Sequence, residues 1–161
     1  MRTATAALVL VALTATGCAR AGSTGFPPPA RPGVLVAADA EQTFATLHAM
    51  LETRGLPILV SDASFGNLIT EWVDWAPGEV NLGALAECGL DDDDRVTQAR
   101  GRFAFEVRPR ANRAQVTVLA HYQVERHPGF DESDRGYVDC RSTGEWERVV
   151  GDALTQRQVV R

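Results

Sequence analysis

Gly101–Glu125 reads GRFAFEVRPRANRAQVTVLAHYQVE, two alternating runs joined by a short polar turn. Phe103, Phe105 and Val107 recur at every second residue of the first run. Val116, Val118, Ala120, Tyr122 and Val124 do so in the second. A period of two puts each set on one face of a pleated strand. Pro109-Arg110-Ala111-Asn112-Arg113 carries turn chemistry, so the stretch is an antiparallel hairpin. His121 has the opposite parity to Tyr122 and belongs to the wetter face.

Working outward, Leu56–Ser61 reads as a strand opened by Pro57, which suits an edge or first-residue position. Asp62–Asn67 is a turn, and Leu68–Trp75 alternates again, giving a second hairpin. Before it, Asp39 and Gln42 form a capping-box pattern. Ala40, Phe44, Leu47 and Leu51 then recur at helical spacing up to Arg54-Gly55. Gly33–Ala38 is a short apolar run that suits an additional first strand. Ser142 and Glu145 form another capping box, followed by a stripe of Trp146, Val149, Val150, Ala153 and Leu154. Two segments lack periodicity: the acidic Ala76–Gln98 and the stretch His127–Cys140. The expectation is an α+β fold, an antiparallel sheet of two hairpins with two helices packed on one face.

The chain has 161 residues, 45% of them hydrophobic, with a net charge of −5 and all 16 basic residues arginine. That composition is globular and argues against a nucleic-acid binder or a polybasic membrane clamp. Met1-Arg2, the apolar run Ala6–Leu13 and the small residues after it fit a removable secretory signal, too short to span a bilayer. Ala15-Thr16-Gly17-Cys18 resembles the lipobox of bacterial lipoproteins, with alanine where leucine is usual. The resemblance implies that residues 1–17 are removed and that Cys18 is diacylated. Two or three acyl chains at ~0.8 kcal/mol per methylene then hold the protein at a membrane. Ala19 follows the Cys in place of an inner-membrane-retaining Asp, which by the family rule favours the periplasmic side of the outer membrane, with the inner membrane and the cell surface as the other destinations. The other reading is an ordinary signal peptide with a coincidental Cys. Residues 18–32, rich in Gly, Pro, Ser and Ala, are a tether with Pro27-Pro28-Pro29 as a stiff element, and 33–161 form one domain.

With Cys18 lipidated, Cys88 and Cys140 remain, an even count in an exported chain, and a structural disulfide follows. The alternative is a nucleophilic Cys140 with His121 or His127 as base. Asp91, Asp92, Asp93 and Asp94 form a solvated acidic run; they are contiguous, not spaced as in a Ca²⁺ loop, so a weak Ca²⁺ site is the lesser reading. His48, His121 and His127 have no zinc-ligand spacing. No catalytic motif, metal site or cofactor-binding motif is present. Trp146 reads as core. Trp72 and Trp75 have opposite parity on one strand, so one of them is free to act as a partner-binding anchor beside the acidic residues.

A lipobox, a Pro-rich tether, a helix ending in Arg54-Gly55-Leu56 and the hairpin Ser61–Trp72 occur together elsewhere. The Asp62-x-x-x-Gly66-x-Leu68 core is similar to that of BamC-like (NlpB/DapX-type) lipoproteins. That resemblance implies a helix-grip domain, a sheet gripping a C-terminal helix, in a non-catalytic accessory of envelope assembly. The functional expectation is a lipid-anchored binding or scaffolding module with an envelope protein partner. The alternative is a small apolar-ligand protein, such as a lipid binder, with a cavity between sheet and C-terminal helix.

Overall fold

A computed structural model describes residues 27–90, 94–127 and 136–156. Cys18, the signal segment and Asp91–Asp93 lie outside the described residues. The hairpin read from the alternation is longer than expected: β6 (Arg95–Arg110) and β7 (Arg113–His127) pair from Arg95↔His127 to Arg110↔Arg113. Phe103↔Ala120, Phe105↔Val118 and Val107↔Val116 stand opposite one another, all buried on one face.

Further strands line both sides of that ladder. β2 (Ile58–Asp62) forms the edge beside β3 (Asn67–Thr70), in keeping with Pro57 at its start. The expected single strand Leu68–Trp75 is broken: β3 pairs with β6 near Phe105, and β4 (Val73–Trp75) near Arg100. At the break the chain bends away, and Glu71 N–H donates to the Pro57 carbonyl at 2.8 Å. The buried Thr70 hydroxyl fills in, accepting from Phe103 N–H at 3.0 Å. On the other side, β1 (Val34–Val36) pairs with β7 around Gln115, and β8 (Gly136–Ser142) pairs with it from Tyr122 to Arg126.

Two stretches expected to be irregular hold regular elements among their described residues. Ala76–Gln98 holds a one-turn helix, α2 (Leu82–Leu85), then β5 (Ala86–Glu87) and the start of β6. His127–Cys140 holds most of β8. Such short pieces carry no period of their own and are ordered by pairing with neighbours. β5 lies against β8, with Ala86↔Ser142 and Glu87↔Arg141 in register. One residue on, Cys88 and Cys140 are joined by a disulfide, their Cα atoms 4.1 Å apart.

The helices close the apolar face. α1 (Ala40–Thr53) begins at Asp39, whose carboxylate accepts from Gln42 N–H at 2.8 Å, and ends before Gly55 at φ 68°. It buries Phe44, Leu47, Met50 and Leu51. α3 (Glu145–Gln156) buries Val150 and Leu154, and its Trp146 ring lies 4.7 Å from Phe103. The capping arrangement differs from expectation. Ser142 Oγ donates to the Glu147 carboxylate, at 2.9 Å to Oε1, and accepts from Gly144 N–H at 3.1 Å. Glu145, the expected box partner, instead pairs with Arg148. Arg31, within the expected tether, donates to the Gly144 carbonyl at 2.8 Å and so ties the chain before β1 to the start of α3.

Two stability measurements follow. Replacing Cys88 and Cys140 together by Ala should lower unfolding free energy by ~2–4 kcal/mol in urea titrations, from a less constrained unfolded chain. Ala111, at the hairpin tip, has a left-handed φ of 52°. Ala111→Gly should raise the urea midpoint by an amount worth ~1 kcal/mol, because a Cβ is disfavoured in that region.

Candidate functional site

The alternation that buries Phe103 and Tyr122 presents Arg100, Arg102, His121 and Gln123 on the opposite face of the sheet. β8 adds Tyr137 and Asp139 to that face, because Tyr137↔Glu125 and Asp139↔Gln123 are register partners. Trp72, at the break between β3 and β4, completes the cluster.

Arg100 is its centre. Its guanidinium carbon lies 4.5 Å from the Trp72 ring centroid and 3.5 Å from that of Tyr137. Each such contact contributes ~0.5–2 kcal/mol, more as water is excluded. Arg100 Nε donates to Gln123 Oε1 at 2.8 Å. Gln123 Nε2 in turn donates to Asp139 Oδ1 at 2.7 Å, and His121 Nε2 lies 2.7 Å from the same oxygen. The His121 ring is 5.1 Å from Trp72, while the Tyr137 hydroxyl donates to Gln98 Oε1 at 3.2 Å. Three strands, β6, β7 and β8, and the connection between β3 and β4 therefore converge on one polar and aromatic surface. Asp139 is its most open member, its side chain 71% exposed. The hydrogen bond from Gln123, then that from His121, hold its carboxyl below the usual value of 3.8.

The expected partner-binding residues separate in space. Trp72 lies on this face. Trp75 does not: it packs against the core, its ring 6.5 Å from both Phe103 and Tyr122. Gly101 makes room for it, since a methyl group there would fall 2.4 Å from Trp75 Cη2. The two tryptophans thus lie on opposite faces as expected, although Trp72 sits in the break and not on the strand that carries Trp75. Asp94 is also removed from any open acidic surface: its side chain is 6% exposed and lies 3.6 Å from Arg126 Nη1. Asp91, Asp92 and Asp93 lie outside the described residues. Cys140, in the disulfide, is no thiol nucleophile.

Arg100, Gln123, Tyr137 and Asp139 were missed from the sequence. The polar parity of β6 and β7 could have found the first two. The others needed β8, which has no recognisable period. Chemically, the surface offers a fixed guanidinium, two ring edges and an accepting carboxylate, a set suited to binding. Among the described residues, no three His, Cys, Asp or Glu side chains converge to hold a metal ion. No protein-family model and no curated protein matches the chain.

The lowered Asp139 pKa carries a sign. Its contribution to stability is present above the unfolded carboxyl value near 3.8 and is lost as pH falls through the lower folded value. Asp139→Asn should therefore be less stable than the parent at pH 7, with the difference vanishing at strongly acidic pH. Urea midpoints of both proteins across that range measure it.

Proposed function

We propose that this chain is a lipid-anchored lipoprotein of the outer membrane, facing the periplasm. Its domain acts there as a non-catalytic binding or scaffolding module for an envelope protein. Acyl chains on Cys18 supply the anchor, and the Arg100 surface supplies the contact. The helix-grip arrangement, with the sheet closing on α3, belongs to the same proposal.

The supporting observation is the Arg100 guanidinium held between Trp72 and Tyr137 on a sheet face opposite the helices. Aromatic rings and arginine are the side chains that dominate binding energy at protein interfaces. Here they are pre-ordered by the sheet, so little rotamer freedom is lost on docking.

The cavity alternative has less support. Trp146 and Phe103 fill the space beneath α3. The cleft beside α3, lined by Val34, Val116, Glu147 and Gly151, measures about 240 Å³. That is below the ~300–1,000 Å³ of small-molecule sites.

A photo-crosslinking amino acid at position 72, in cells making the full chain, should give one discrete adduct with an envelope protein. The same group at Asp152, on the exposed side of α3, should give none. Cys18→Ser should abolish labelled palmitate incorporation and the adduct together. No adduct from position 72 in palmitate-labelled, membrane-bound protein would refute the scaffold reading.

A further inference from the structure

We propose that the end of the sheet bearing the β6–β7 turn docks on an anionic lipid surface. The register assembles this end from three strands and a turn. Arg108 pairs with Gln115 and Gln115 with Leu35, one row across β6, β7 and β1. Phe65 closes the row on the far side, its carbonyl accepting from the Arg108 guanidinium. Phe65, 67% exposed, and Leu35, 54% exposed, are the two most exposed large apolar side chains among the described residues. They flank the arginines. The hairpin then ends on Arg110 and Arg113, both exposed and directly paired.

The whole chain is acidic and no polybasic clamp, but this end concentrates basic charge, three arginines against the carboxylates of Glu106 and Asp62. Three arginines fall within six positions, 108 to 113, of a chain with net charge −5. Arg108 has an acidic partner in Glu106, at a long 3.8 Å with both side chains 46% exposed. Arg110 donates to the neutral Gln115 at 2.9 Å, and neither Arg110 nor Arg113 is in an ion pair among the described residues. Like charges facing each other across a hairpin are destabilising, so the fold itself gains nothing from this pair. Lipid phosphates would offset the repulsion, and guanidinium groups match them in geometry.

The apolar residues decide between a lipid and a protein surface. Phe65 and Leu35 are separated by three strand spacings, ~14 Å. Isolated apolar knobs among arginines suit a deformable headgroup layer, whereas a protein partner needs a continuous complementary area. The exposure of Phe65 is built in. The Asp62 carboxylate accepts from Ser64 N–H, the Ser64 hydroxyl and Phe65 N–H, at 2.7–3.1 Å. Gly66 at φ 63° presses against Val107, where a methyl group would fall 2.1 Å from the carbonyl oxygen. A turn fixed this firmly still displays a phenyl ring to water.

This inference rests on the lipid-anchored reading for its reason that the domain meets a bilayer. Docked so, the Arg100 surface, eight residues up β6, would stand ~25 Å from the headgroups.

The test is hydrogen–deuterium exchange of the full mature chain on vesicles of phosphatidylcholine alone or with phosphatidylglycerol. Segments 62–66 and 108–113 should exchange several-fold more slowly with phosphatidylglycerol present. That protection should disappear at ~1 M salt, where the Debye length is ~3 Å. It should also disappear in Arg110→Glu/Arg113→Glu, while exchange in the β6–β7 core stays unchanged. Equal exchange on both vesicles, or protection confined to the Tyr137 strand, would overturn the proposal. The same digest reads the acyl mass on Cys18. Its absence would refute the anchor alone, and co-sedimentation of the chain with the two vesicle types would then decide lipid docking.

Discussion

One ladder holds this molecule together, the antiparallel register between β6 and β7. Because side chains alternate strictly, a slip of one residue would turn Phe103, Phe105 and Tyr122 outward and bring Arg100, Arg102 and His121 into the core. Burial of the aromatic and β-branched set therefore fixes the pairing, and the pairing fixes everything attached to it. β3 and β4 occupy one side of the ladder and β1 and β8 the other, each in a register the central strands set.

The same register makes two chemically different faces from one hairpin. The inner face is dry and receives the buried stripes of α1 and α3. The outer face keeps its charges by linking them: Arg100 against the Trp72 and Tyr137 rings, Gln123 between arginine and carboxylate, Asp139 shared with His121. Such a network orders its members, and an ordered aromatic and guanidinium surface loses little on association. The outer face is thus the surface of the sheet that loses least on binding.

Length gives the hairpin a second role. β6 runs from the ion pair between Asp94 and Arg126 to the arginine-bearing turn, with the Arg100 cluster between. The disulfide holds β5 to β8, which keeps Tyr137 and Asp139 beside Gln123 in a segment with little core of its own. In the reading proposed here, one end of the ladder meets lipid and its middle presents the polar and aromatic surface.

The sequence by itself determined the local elements whose period or capping is self-contained. These are the β6–β7 alternation, the α1 stripe behind Asp39, the edge strand after Pro57, and the even cysteine pair. It also placed His121 on the wet face and put Trp72 and Trp75 on different faces, though the single strand behind that separation is broken at Trp72. Tertiary structure decided which of the two half-buried tryptophans packs on the core, because that depends on the space Gly101 leaves over β6. It decided that Asp94 would be enclosed with Arg126 and that Ser142 would turn to Glu147. It also made strands of Ala86–Glu87 and Gly136–Ser142, where the sequence shows no period as far as Cys140 and a helix cap at Ser142. Short polar segments have no internal periodicity to declare their state, so their order comes from backbone bonds to strands far away in sequence. The Arg100 surface was hidden for the same reason: its members come from three strands and the β3–β4 connection, and only pairing brings them side by side.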